Sequence, residues 1–211
     1  MTAGKSPLEL AREAPGSTKG RILTAAEGVF ATRGYEGAST REIAACAGVN
    51  ISSLHYHWAS KDALYVAVFQ DVFDRLTDLL RGTLARLADE KRREVVVARV
   101  MGELVAFMAE HPTVPKLLVR RLLEPDVALG VDRDVLGPAW GVFREWMGKS
   151  GRRLSETELR LGMLSAHSVL LLYMLDSASY RSLLGGSVLA MPLRVEVERH
   201  LVRLVEALLS S

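Results

Sequence analysis

One cysteine, Cys46, stands in 211 residues, which excludes an internal disulfide framework and fits a reducing compartment. Long apolar runs are missing as well. Val169 to Leu175, a run as long as any, falls far short of the roughly 18 residues that a membrane span needs. The first twenty residues are polar and hold no apolar core of a secretory signal, so a cytoplasmic chain with no membrane partner is expected. Charge of one sign is absent too: the formal net charge is +2, and residues 1–68 carry seven Lys/Arg against six Asp/Glu. Bulk charge therefore neither marks nor excludes a nucleic-acid partner. No strand-period alternation, internal repeat or low-complexity tract is visible.

Catalytic signatures are also lacking. There is no H-E-x-x-H, no glycine-rich phosphate loop, and no basic neighbour in the sequence to activate Cys46, which reads as a small tolerated residue on a helix. His55-x-His57 has a metal-like spacing, but positions i and i+2 of a helix point about 200° apart, so the two rings cannot grip one ion. The expectation is a non-enzyme with no metal and no cofactor.

What is present is concentrated between Ser39 and Leu64, in STREIAACAGVNISSLHYHWASKDAL. Ser39 caps a first short helix, with Glu42 placed to complete a capping box and Ile43, Ala44 and Ala47 forming its apolar face. Gly48 ends it, and Asn50 is a good N-cap for the helix that follows at once. In that second helix Leu54 and Trp58 sit at i, i+4 and face inward. Ser52, Ser53, His55, Tyr56 and His57 are left to face outward, and their hydroxyl, imidazole and phenol groups suit phosphate oxygens and base edges better than a core. Two helices joined by so short a turn make a helix-turn-helix. Lys19, Arg21, Arg41 and Lys61 flank it and are expected near phosphates.

These residues resemble the DNA-binding domain of TetR-family transcriptional regulators. The match runs through Phe30, Gly34 and Tyr35, then Thr40, Ile43, Ala44, Ala47, Gly48 and Val49, then Leu54, His57, Ser60, Lys61 and Leu64. It covers about residues 18–70. His55 stands where the family usually has Tyr, and Trp58 where it usually has Phe. The resemblance implies a dimeric DNA-binding regulator whose C-terminal domain binds a small molecule. Asn50, Ile51, Ser52 and Ser53 then lead the helix end that faces base pairs, His55, Tyr56 and His57 lie further along it, and Thr40, Arg41 and Lys61 are placed for the phosphates of double-stranded DNA with a pseudo-palindromic operator.

The rest of the chain keeps a helical period, so the expected fold is all-α with about nine helices. Residues 1–17, with two prolines and two glycines, read as a mobile arm. Residues 18–65 form the helix-turn-helix domain, opened by a helix over Thr18–Arg33, and 66–211 an effector-binding and dimerisation domain. A long fourth helix, which Ser60 is placed to cap, links the two. A fifth spans about Arg92–Glu110, a sixth Thr113–Glu124, a seventh Asp132–Lys149, and an eighth opens at the capping box of Ser155 and Glu158 and runs to about Ser177. The ninth follows Pro192.

From Leu159 to Leu175 the eighth helix is apolar almost all round, as a helix covered on two sides would be. A homodimer through the eighth and ninth helices is expected, with Leu171 and Leu201 in its seam. Phe107, Trp140, Phe143, His167 and Tyr173, among neighbouring methionines such as Met101, Met108, Met163 and Met174, are the candidates to line a largely apolar effector pocket. The function read from all this is a repressor released by a small molecule. The alternative is a helical architectural or interaction protein that binds DNA without a sensor.

Overall fold

The computed structural model describes residues 5–123, 137–149 and 155–210, and among them every regular element is a helix. They are α1 (Pro7–Glu13), α2 (Thr18–Gly37), α3 (Thr40–Ala47), α4 (Ile51–His57), α5 (Lys61–Arg86), α6 (Arg93–Glu110), α7 (Thr113–Leu123), α8 (Gly137–Lys149), α9 (Glu156–Met174), α10 (Ala178–Leu184) and α11 (Leu193–Ser210). No single described helix is long and apolar enough to cross a membrane. The chain divides into two compact units, residues 1–74 with 116–133, and residues 75–115 with 134–211. The division passes through α5 and again through α7.

In the first unit α2 packs on α1, α3 and α4. Ile22, Ala26 and Phe30 of α2, Ile43 of α3, Leu54 of α4, and Leu64 and Phe69 of α5 are fully buried or within a few per cent of it. The rings of Phe30, Tyr65 and Tyr35 meet edge-on around Tyr65, at 5.0 Å for each contact. The segment expected as a mobile arm instead holds α1. Ser6 and Glu9 form a capping box, Pro7 takes the first turn where its missing N–H costs nothing, and Leu8 and Ala11 are buried. Arg12 then ties α1 to α5 through Asp71 at 2.7 Å and Asp74 at 2.8 Å. Seven residues are too few for a hydrophobic period to stand out, which is why the sequence hid this helix.

Three cations complete the helix ends of this unit. α2 is broken at Gly34, whose φ of 71° only glycine adopts easily, and α3 ends at Gly48 in the left-handed region. Carbonyls at such ends lack amide partners and attract positive charge. Arg21 donates to Ala47 O at 3.0 Å and Gly48 O at 2.8 Å. Lys61 donates to Tyr35 O at 2.8 Å and Ala38 O at 3.0 Å, with its ammonium 4.2 Å from the centre of the Tyr35 ring. Arg120 of α7 donates to Ala31 O at 3.0 Å and Thr32 O at 2.6 Å. Lys61 and Arg21, expected at phosphates, thus have their donors turned to the protein's own backbone. Burial and the hydrogen bond to Asp62 push the Tyr35 phenol up to about 12, so it stays protonated and donating.

In the second unit α6, α9 and α11 pack on one another and α8 rests on α9. Val97, Met101, Val105 and Met108 of α6, Leu170, Leu171 and Met174 of α9, and Val197, Leu201 and Val205 of α11 fill the centre. The expected eighth helix stops earlier than its apolar content suggests, at Met174. Asp176 turns left-handed (φ 48°), and its buried carboxylate accepts from Ser187 Oγ at 2.7 Å and Val188 N at 3.0 Å, so the chain is drawn into a corner. Ser177 caps a separate α10 by accepting from Tyr180 N. Of the expected seventh helix, residues 132–136 lie outside the described residues.

The capping by Lys61 sets a stability expectation. Lys61→Met keeps the aliphatic stem but removes a charged donor from two carbonyls, and should lower unfolding free energy by about 2 kcal/mol. Arg41→Met, at an exposed position with no such role, should stay within about 0.5 kcal/mol. Denaturant melts of the two variants make the comparison.

Candidate nucleic-acid interface

The unit that carries α3 and α4 presents one helix with two chemically opposite faces. α4 begins where Asn50 Oδ1 accepts from Ser53 N at 2.7 Å, and it ends at Trp58 after two turns. Leu54 is fully buried and Trp58 nearly so, which locks the helix against the core. Trp58 fills its slot as a flat apolar ring, although its buried indole Nε1 has no hydrogen-bond partner among the described residues. Opposite this anchor Tyr56 is 85% exposed, the highest value among the large hydrophobic side chains that stand out from the surface. Its ring meets His57 edge-on at 5.1 Å.

The remaining expected DNA-facing residues fall around the same helix. Asn50, Ser52 and His55 are exposed, and Ile51, Ser53 and His57 are half-buried. On α3, Thr40 is half-buried at the first position after the Ser39 cap, and Arg41 beside it is exposed. Ser39 accepts from Glu42 N at 3.1 Å as expected, but the Glu42 carboxylate faces Arg33 Nε at 3.3 Å rather than the cap backbone. Lys61 belongs to the frame, as its bonds to Tyr35 and Ala38 show. Cys46 lies exposed on α3. Among the described residues no three His, Cys, Asp or Glu side chains gather as a metal-ligand set.

The expected pocket residues lie in the second unit in separate groups. Trp140, Phe143 and Trp146 form a half-buried row along α8, each ring 6.1 Å from the next, with the Arg160 guanidinium 5.5 Å from the Trp140 ring. Phe107 meets His111 at 4.6 Å and Tyr173 meets His200 at 6.0 Å, both with tilted rings. His167 lies on the inward arc of α9 with Leu170, Leu171 and Met174, and burial holds its imidazole below the ordinary histidine value. Met101, Met108 and Met174 are closed core side chains, whereas Met163 is half-buried. Sequence reasoning missed Arg120, because a contact between residues 88 and 89 positions apart leaves no local pattern.

Comparison with known proteins agrees with this geometry. Residues 22–68 match the family model described as bacterial regulatory proteins, tetR family. The transcriptional activator FasR of Mycolicibacterium smegmatis is 41% identical over 75 residues, covering 36% of this chain and 34% of its own. The regulator CymR of Pseudomonas putida is 26% identical over 133 residues, covering 62% of this chain and 64% of its own. The chain thus spans about a third of one relative and just under two thirds of the other. The fold matches that of FadR from Bacillus subtilis, solved in complex with stearoyl-CoA, with a TM-score of 0.64 at 15% identity over 88% of this chain and 96% of that one. Over residues 22–68 this chain therefore carries the helix-turn-helix region of the tetR family of bacterial regulatory proteins, within an all-helical fold shared with solved TetR-family regulators.

Proposed function

We propose that the protein is a DNA-binding transcriptional repressor, acting as a homodimer and released from its operator by a small, largely apolar molecule. The observation that carries the reading is the split character of α4. Its inner face is anchored by Leu54 and Trp58, so the outer residues Ser52, His55 and Tyr56 are held out rigidly, as insertion into a major groove requires. Arg41 and Thr40 then meet phosphates at the N-terminal end of α3, where the helix dipole also favours an anion. Lys61 works at one remove, by fixing the end of α2. Two copies supply the two-fold symmetry that a pseudo-palindromic site calls for.

Support for the dimer comes from α9. Leu161, Leu164 and Leu172 are 58%, 52% and 46% exposed and lie on one face of the helix with Ser165 and Ser168. Such an apolar stripe needs a cover, and a second copy related by a two-fold axis supplies one. Leu171 and Leu201, the positions picked from sequence, are each 1% exposed within the protomer and belong to its own core.

For the effector, the support is the half-buried aromatic row on α8 beside Arg160, a setting for an apolar chain with an anionic head. Fatty acyl-CoA thioesters are the first probes to try, since a protein of the same fold was solved with stearoyl-CoA. α5 carries any change in the second unit to the first, because its residues run through both.

Each part has an expected outcome. Against an operator recovered by genomic fragment selection, Tyr56→Ala should cost about 1–3 kcal/mol of specific affinity, while Arg41→Ala should weaken all sequences alike and reduce the salt slope by about one unit. Unchanged affinity in both folded variants removes α4 as the reader. In sedimentation, Leu164→Arg should give a folded monomer from a wild-type dimer, whereas Leu171→Arg should unfold the protomer by placing an unpaired charge in its core. A wild-type monomer at micromolar concentration ends the dimer reading. Trp140→Ala should lower effector affinity and leave ligand-free operator binding near wild type. Calorimetry with and without operator should show a coupling of about 1–3 kcal/mol, equal in both directions. Equal effector affinity in the two states removes the sensor and leaves the architectural alternative.

A further inference from the structure

α5 is one of two helices through which the division between the units passes; the other is α7, whose Thr113–Pro115 fall in the second unit and whose later residues fall in the first. Arg120 stands on that later part, one turn beyond the buried pair Leu117 and Leu118, so its backbone is seated rather than free. Its guanidinium reaches two successive carbonyls of α2, Nε to Ala31 O at 3.0 Å and Nη2 to Thr32 O at 2.6 Å. Those carbonyls come just ahead of the Gly34 break, where a helix most needs outside donors. The fork matters more than the charge. Two N–H groups of one planar group on adjacent carbonyls fix an angle as well as a distance, which an ammonium cannot do. On the far side of the same stretch, Phe30 is fully buried against Tyr65, and α2 packs directly on α3 and α4.

We propose that Arg120 is a positioning latch: it locks α7 to the break in α2, so that a displacement of α7 arising in the second unit is delivered to α2 and thence to α3 and α4. The latch makes α7 a second line of coupling beside α5. The inference rests on the reading of α4 as the DNA reader. By linkage the coupling must also run backwards, from DNA at α4 to α7.

The test is hydrogen exchange of the full chain, read by mass spectrometry, with and without the operator fragment recovered from genomic selection. In the wild type, operator should slow exchange in α4 and also in Leu117–Leu123 of α7. In Arg120→Gln, operator supplied at saturation should still protect α4, but the response of α7 should vanish; Arg120→Lys, which keeps the charge without the fork, should lose most of it as well. A capping bond of purely local importance would leave the α7 response intact. Without DNA, Arg120→Gln should speed exchange in Gly34–Ala38 by about ten-fold. A wild-type α7 that does not respond to bound operator, or an Arg120→Gln chain that keeps the response, overturns the latch. A wild-type chain that binds no DNA overturns the regulator reading and the coupling with it; the DNA-free exchange at Gly34–Ala38 then shows whether Arg120 held the α2 break at all, and so separates the two failures.

Discussion

The helix-turn-helix of this protein depends on side-chain cations that finish what its helices leave unfinished. α2 is interrupted at Gly34, closes at Ala38, and hands over to an α3 that ends at Gly48. Each of these points exposes carbonyls short of amide donors; Tyr35 O keeps only the long bond from Ala38 N, at 3.3 Å. Arg120, Lys61 and Arg21 meet them in that order, each with two bonds to neighbouring or near-neighbouring oxygens. Apolar packing brings α2, α3, α4 and α5 together, but packing alone is tolerant of small rotations. Directed bonds at the helix ends are not, and the groove reader of the proposed function depends on that precision.

The same frame explains the outer face of α4. α4 is only seven residues long, too short to be stable by itself, and it holds its shape through the Asn50 cap and the burial of Leu54 and Trp58. Because the inner face is committed, the outer face is free to be polar and exposed without cost to the fold. Tyr56, large and almost wholly open to solvent, is the clearest product of this division. A side chain of that size is held out where burial would be favourable only if something else covers it, and a base-pair edge or a sugar-phosphate backbone is the cover the proposed function supplies.

The second unit is built on the opposite rule. Its centre is closed by aliphatic and thioether side chains from α6, α9 and α11, while apolar residues of α9 remain on the outside. The buried Asp176 knot fixes the corner after α9 with a carboxylate whose oxygens are all engaged, a polar group that is tolerable inside only because it is satisfied. The aromatic row of α8 is half-buried rather than closed, and the proposed function seats its effector there.

Local chemistry could be read along the chain. Ser39, Asn50, Ser60 and Ser155 were legible as caps, Gly48 as a stop, and Leu54 and Trp58 as the inner face of α4, because each acts within one or two turns of itself. The all-helical class followed from period alone. Partners distant in the chain were decided only in three dimensions: that Lys61 and Arg21 reach backbone carbonyls, that Arg120 reaches Ala31, and that Leu171 points into the core while Leu164 points out. The α1 helix and the early end of α9 belong with them, since seven residues carry too little period and a left-handed Asp176 gives no signal in a run of leucines. A charged side chain looks the same in sequence whether it faces water, a phosphate or a helix end, and only the tertiary fold, by placing an unmet carbonyl within its reach, decides which.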